Sequence, residues 1–61
     1  PASCDICTLP LDKVEYFVDG RVTSGTAWAL MCPVCHYFNG VGLGTGSGQK
    51  YDSKTLEKLE G

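Results

Sequence analysis

Four cysteines, arranged as two Cys-x-x-Cys pairs, are the residues of this sequence best suited to chemistry. The first pair is Cys4 and Cys7, the second is Cys32 and Cys35, and 24 residues separate the pairs. A spacing of two residues lets one tight turn aim both sulfurs at the same point, so two such turns together offer four thiolate ligands. Four thiolates suit a structural Zn²⁺ ion, with zinc–sulfur distances of about 2.3 Å. The spacing therefore predicts one zinc ion per chain, held by all four cysteines.

Other uses of these cysteines fit the sequence less well. Two disulfides would suit a secreted domain, but no signal-peptide pattern is seen and a reducing compartment is expected. Cys32 to His36 matches the haem-attachment motif Cys-x-x-Cys-His, yet haem would leave Cys4 and Cys7 without a role. His36 could replace one cysteine as a ligand, although neighbouring residues seldom both point at one metal, which favours a supporting or surface role.

The chain is short enough to depend on such a centre. Its 61 residues allow one domain, and domains of this size bury too little surface to be comfortably stable alone. Structural zinc contributes roughly 10–16 kcal/mol in small peptides, more than the net stability of an ordinary domain. We therefore expect the metal-free chain to be largely unfolded.

Composition bears on the kind of partner. The formal net charge is −2, and four thiolates around one Zn²⁺ would bring it to about −4. Phosphate binding depends on clustered Lys and Arg, and only five such residues are spread along the chain. No catalytic set of side chains is present, and no 18-residue apolar segment could span a membrane. These features favour a cytoplasmic, non-enzymatic module that binds a protein, with weak nucleic-acid binding as the alternative.

Strands are predicted between the cysteine pairs. Residues 14–18 are β-branched and aromatic, and Asp19 and Gly20 follow them as a signal for a two-residue type I′ hairpin turn. Residues 21–23 would return as the second strand, and residues 26–31 would add a third. The large apolar residues expected to cover the metal centre are Phe17, Val22, Trp28 and Leu30.

The remaining sequence divides into a glycine-rich segment and a C-terminal segment. Glycine occupies every second position from residue 40 to residue 48. This spacing excludes the dinucleotide-binding motif Gly-x-Gly-x-x-Gly, and the phosphate-binding P-loop motif is absent too. No nucleotide site is therefore predicted. Residues 1–39 would form the metal-binding unit, 40–50 a flexible or sheet-edge loop, and 51–61 a tail or short helix capped by Asp52 or Ser53, all within one domain.

Apolar residues after the second cysteine pair offer a recognition surface. Tyr37 and Phe38 either pack on the core, which the small size of the domain favours, or stand exposed. With Val41 and Leu43 of the glycine-rich segment, they are the residues that we expect to contact a partner if they are exposed.

The cysteine pattern resembles that of zinc ribbons, small domains in which two knuckles at the ends of β-hairpins hold one zinc. This resemblance covers residues 4–35 and implies a structural zinc on the four cysteines, a three-stranded antiparallel sheet, and binding of nucleic acid or protein. A wider similarity, over residues 17–20, 28–36 and 42–51, is to short uncharacterised bacterial and phage zinc-ribbon proteins. That similarity implies zinc binding and no particular function.

The pattern also resembles rubredoxin, a small acidic iron protein of electron transfer. Trp28 before the second pair and the Cys-Pro-x-Cys sequence at residues 32–35 carry this resemblance. Rubredoxin has glycine after each pair, where this chain has Thr8 and His36, and it has an aromatic cluster after the first knuckle that this chain lacks. Four thiolates do not by themselves distinguish zinc from iron, so an iron electron carrier remains an alternative.

Overall fold

A four-stranded antiparallel sheet organises residues 2–61, the part of the chain that this computed structural model describes. A short 3-10 turn, Leu11–Lys13, precedes the sheet. The strands lie in the order β2-β1-β3-β4, and one helix, α1, follows β2. This confirms the predicted small, mostly β fold class, with four strands where three were expected. The bounds are β1 Tyr16–Arg21, β2 Trp28–Met31, α1 Pro33–Asn39, β3 Gly48–Asp52 and β4 Lys58–Glu60.

The predicted hairpin turn at Asp19 and Gly20 is wrong. Strand β1 continues through both residues, so residues 21–23 do not form a separate returning strand. The turn into β2 comes later, where the Val22 N–H donates to the Ala27 carbonyl at 3.0 Å. An Asp-Gly pair signals a turn only through local conformation, and here pairing with strands on both sides overrides it.

Gly20 has a packing role inside β1. It lies directly opposite Gly48 of β3, and a Cβ on Gly20 would come within 3.0 Å of the Ser47 carbonyl oxygen. Two glycines facing each other let the two backbones approach closely. The glycine that suggested a turn is thus used for contact between strands.

The glycine-rich segment folds into turns that lead to β3. Gly42, Gly44 and Gly46 have φ values of 112°, 121° and 81°, a region that other residues rarely adopt. The Gly44 N–H donates to the Gly48 carbonyl at 2.8 Å, and β3 begins at Gly48. The alternating glycines therefore permit a tightly folded connection between α1 and the sheet.

Residues 51–61 complete a β-hairpin, so the short helix considered for this segment is wrong. Asp52 caps a turn rather than a helix. Its Oδ1 accepts hydrogen bonds from the N–H groups of Lys54 at 2.8 Å and Thr55 at 2.9 Å. Leu56 then adopts a left-handed φ of 64°, which ends the helical turn and directs the chain back as β4. An aspartate that caps a helix can equally cap an isolated turn, so its presence could not decide between the two.

Helix α1 begins as soon as β2 ends. Cys32 is its N-cap in extended conformation, and Pro33 occupies the first turn, where a missing N–H costs little. The helix ends at Asn39, and the Gly40 N–H donates to the His36 carbonyl at 2.9 Å. At seven residues α1 is short, and no helix within residues 2–61 is long and apolar enough to cross a membrane.

The core lies beside the cysteines, where α1 packs on β1 and β2. Three predicted core residues, Phe17, Val22 and Leu30, are partly buried against it. Trp28 was wrongly assigned to the core, since it is 46% exposed and strand alternation places it on the sheet face opposite Met31. The buried hydrophobic residues are Cys4, Leu11, Val18, Met31, Cys32 and Cys35.

Candidate metal centre

The first cysteine pair lies in a tight turn ahead of β1. The Cys4 N–H donates to the Leu9 carbonyl at 2.8 Å and the Thr8 N–H donates to the Cys4 carbonyl at 2.9 Å, so the chain doubles back around the pair. The Cys7 N–H lies 3.5 Å from the Cys4 sulfur, a contact that stabilises a thiolate. Thr8 has a left-handed φ of 67°, the conformation that glycine would adopt most easily after the pair.

The second pair lies at the junction of β2 and α1. Cys32 caps the helix, and Cys35 sits in its first turn with its side chain buried. The His36 N–H donates to the Cys32 carbonyl at 2.9 Å, so the chain continues as a helix after the pair. This differs from the hairpin knuckle that the zinc-ribbon resemblance implies, and from the turn that the rubredoxin resemblance implies.

Asp5 joins the two halves of the site. Its Oδ2 accepts the Leu30 N–H at 2.8 Å, and its own N–H donates to the Leu30 carbonyl at 2.8 Å. These bonds attach the first cysteine turn to the outer edge of β2, two residues before Cys32. Sequence reasoning missed Asp5 because its partner is a backbone group 25 residues away. The only indication in the sequence was an aspartate inside a Cys-x-x-Cys pair.

The four sulfurs come together as the sequence predicted. All four Sγ atoms lie within 4.8 Å of one another, and those of Cys7 and Cys32 are 3.7 Å apart. A tetrahedron of sulfurs about 2.3 Å from a central zinc has edges of about 3.8 Å. The spacing therefore fits one metal ion held in a tetrahedral-like arrangement. The four ligands would be Cys4, Cys7, Cys32 and Cys35.

Exposure divides the four cysteines unequally. Cys4, Cys32 and Cys35 are only 2%, 3% and 8% exposed, whereas Cys7 lies at the surface. All four are free thiols, without disulfide bonds. Thiolates select soft and borderline metals such as zinc and iron rather than magnesium or calcium. The centre is thus closed on its inner side and open to solvent at one cysteine.

The electrostatics of the cluster oppose ionisation of all four thiols in the absence of a cation. Burial alone would raise the pKa of Cys4, but hydrogen bonds from the backbone of Cys7, Cys32 and Ile6 outweigh it and lower that pKa to about 6. Burial, reinforced by the neighbouring thiols and the charge of Cys4, raises the pKa of Cys35 to about 12. One thiolate therefore forms readily and keeps another thiol protonated. A divalent cation would remove this conflict.

His36 lies outside the group of metal-binding side chains. Its Nε2 is 3.2 Å from the Gly42 carbonyl oxygen, consistent with a hydrogen bond donated by the ring. The ring also packs against Gly40, where any Cβ would collide with it. His36 therefore supports the turn that follows α1, in keeping with the supporting role that the sequence favoured.

The candidate partner surface is prominent on α1. Tyr37 and Phe38 are 81% and 72% exposed, so their interpretation as core residues is wrong. Their rings pack edge to face with centroids 5.0 Å apart, and Val34, 64% exposed, lies one turn earlier. Val41 and Leu43, by contrast, are half-buried in the segment after the helix. The aromatic pair is the more accessible half of the predicted surface.

No family model, curated protein or solved structure matches this chain. Its class therefore rests on its own fold and site: a small, mostly antiparallel β protein with a four-cysteine cluster that could bind a metal ion. This arrangement is consistent with a zinc ribbon.

Proposed function

We propose that this chain is a non-enzymatic binding module in which a structural zinc ion supports helix α1 and α1 contacts a protein partner. One observation carries the proposal. The same seven-residue helix has one of the four clustered cysteines as its N-cap and another in its first turn, and it presents an exposed aromatic pair.

A structural role for the metal follows from the composition of the core. Three of the six buried hydrophobic residues are cysteines of the cluster, namely Cys4, Cys32 and Cys35. These cysteines occupy the centre of a 61-residue chain that has few other large buried side chains, so a metal ion bound there would supply much of what holds the fold together. Four protein ligands also complete a tetrahedral shell, which is typical of structural zinc sites, whereas catalytic sites keep an open position.

The surface of α1 has the composition of a protein interface. The helix carries no Lys, Arg, Asp or Glu, and Val34, Tyr37 and Phe38 are its exposed apolar side chains. The centres of protein interfaces are enriched in aromatic residues and depleted of charge. Nucleic acid is the weaker candidate because the chain is acidic overall and this helix offers no lysine or arginine to phosphates.

Metal content gives the first test. The protein, purified without added metal, is expected to carry one zinc per chain and to show no visible absorption, because zinc has a filled d shell. A red protein with iron in this stoichiometry would contradict the proposal and support a rubredoxin-like electron carrier.

The partner surface is tested by comparing baits in affinity capture. We expect the zinc-loaded protein to retain specific partners that the Tyr37→Ala/Phe38→Ala double variant loses. Trp28→Ala removes an exposed aromatic from the sheet and is the matched control, expected to retain them. Zinc content and the NMR spectrum verify that each variant is folded. Equal capture by the double variant, or sub-micromolar nucleic-acid binding at physiological salt, would contradict the proposal.

A further inference from the structure

The cysteine cluster has one exposed residue. Cys7 is exposed, while the other three cysteines are at most 8% exposed. Its neighbours Ile6 and Thr8 are also exposed, so this rim of the first turn is open to small solutes. Oxidation of a cysteine depends on thiolate character and access, and buried structural cysteines are comparatively inert. A dissolved oxidant would therefore reach Cys7 first.

A second sulfur lies within reach of Cys7. The Sγ of Cys32 is 3.7 Å away, compared with about 2.05 Å in a disulfide, so less than about 2 Å of approach joins the two atoms. Cys32 is itself only 3% exposed, which suits it to react with an oxidised neighbour rather than directly with a solute. The two residues belong to different halves of the centre, the first turn and the junction of β2 with α1.

We propose that Cys7 is an oxidation site for hydroperoxides, and that Cys32 resolves the oxidised product into a Cys7–Cys32 disulfide. This inference rests on the zinc occupancy proposed above, which holds the sulfurs as thiolates. In the first step the Cys7 thiolate attacks a peroxide oxygen: an S–O bond forms, the O–O bond breaks, and hydroxide leaves when the peroxide is H₂O₂. The product is a sulfenic acid at Cys7.

In the second step the Cys32 thiolate attacks the Cys7 sulfur. An S–S bond forms, the S–O bond breaks and a second hydroxide leaves, so the two sulfurs have together given two electrons to the peroxide. The disulfide removes two of the four thiolate ligands, and zinc affinity falls as a result. Since three cysteines of the cluster are also core residues, the oxidised chain loses the support of α1 and with it the proposed partner surface.

The reaction is tested on the full, zinc-loaded chain with H₂O₂ as the probe. Zinc release is followed with a chromogenic chelator, while the modified residues are mapped by mass spectrometry with and without a sulfenic-acid trap. We expect trapping at Cys7 before any other cysteine, followed by release of one zinc for each Cys7–Cys32 disulfide, and recovery on adding reductant and zinc. First oxidation of a buried cysteine, or a dominant disulfide other than Cys7–Cys32, would overturn the inference.

Two variants give a matched comparison. Cys7→His removes the exposed sulfur but leaves a Cys₃His ligand set, which also binds zinc. We expect it to release zinc about tenfold more slowly than wild type under peroxide. Cys35→His has the same ligand composition but keeps Cys7 and Cys32, so under peroxide it should still form the Cys7–Cys32 disulfide and release zinc faster than Cys7→His. Equal release from Cys7→His and Cys35→His would contradict the inference.

The proposed function and this inference fail in different ways. Zinc content is measured before peroxide is added, so an absence of zinc at that stage contradicts the proposed function. Zinc-loaded wild-type protein that loses its metal without preferential oxidation of Cys7 contradicts the inference alone. The residue map of the wild-type protein decides this even if a histidine variant fails to fold.

Discussion

At the scale of single residues, two features shape the first cysteine turn. Asp5 attaches the turn to β2 through two hydrogen bonds with Leu30. Thr8 closes the turn in a left-handed conformation that crowds its β-branched side chain, although its hydroxyl donates to the Cys7 carbonyl. Asp5 therefore stabilises the site, whereas the backbone conformation of Thr8 lowers the stability of the fold. Substituting each residue in turn tests the two effects separately.

Replacing Asp5 with alanine should weaken the metal centre. The Leu30 N–H loses its carboxylate partner, a change of about 1 kcal/mol at an exposed position, or about a fivefold loss of zinc affinity. Competition with a chelator of known affinity measures the change. Asp12→Ala removes another exposed carboxylate, on the turn before β1, and should leave the affinity unaltered. Equal losses in both variants would show that the Asp5 bond is unimportant.

Replacing Thr8 with glycine should stabilise the zinc-loaded protein. The strain of a left-handed residue is about 1–2 kcal/mol, and the lost hydroxyl hydrogen bond offsets part of it, leaving a gain of about 1 kcal/mol. Thermal unfolding at a fixed zinc concentration measures this gain. Thr26→Gly, at an exposed position without positive φ, should give no gain. A fall in melting temperature for Thr8→Gly would contradict the strain argument.

At the scale of elements, the close pairing of β1 with β3 links the metal-binding half of the chain to the C-terminal hairpin. Gly20 and Gly48 face each other at this contact, and Gly48 also lies against the turn that leads into β3. The sheet depends on these two glycines for the approach of the strands.

Gly48→Ala should therefore destabilise the fold. The new Cβ would lie 2.7 Å from the Gly42 carbonyl oxygen, so the backbone must move, at a cost of about 2 kcal/mol. Gly25→Ala is the matched control, because a Cβ there meets nothing within 4 Å. Thermal unfolding of the zinc-loaded variants should show a lower melting temperature for Gly48→Ala alone. Equal melting temperatures would mean that the backbone around Gly48 makes room for a Cβ without cost.

How far the elements could be predicted depends on the range of the interactions that form them. The cluster of four cysteines was predictable because the two-residue spacing within each pair is a local feature of the sequence. The roles of Gly20, Gly48 and Asp52 were not, since each depends on which strand lies opposite or on whether a capped turn continues as a helix. Asp5 escaped detection for the same reason, because its partner becomes a neighbour only after β2 forms.

At the scale of the whole molecule, protons would compete with the proposed zinc ion for the same thiols. With the four thiols gathered as in the fold, Cys35, with a pKa raised to about 12, keeps its proton at neutral pH, whereas Cys4, with a pKa lowered to about 6, has lost its own. Binding a cation must expel the Cys35 proton. Zinc affinity should therefore fall as the pH falls, because protons and the cation compete for the same thiols.

Zinc titrations between pH 8 and pH 6 check this dependence. We expect the apparent affinity to decrease by about tenfold or more per pH unit, because at least one proton is displaced by each ion bound. An affinity that does not change over this range would show that the thiols are not the ligands.

The central claim, that this fold exists because four cysteines hold one metal ion, is tested most directly by removing the metal. A ¹H–¹⁵N NMR spectrum of the zinc-loaded protein is recorded before and after addition of a strong chelator, in the presence of reductant. We predict that the dispersed amide signals collapse on chelation and return when zinc is restored, because half of the buried hydrophobic residues are cysteines of the cluster. A dispersed, native-like spectrum that persists without metal would contradict the claim.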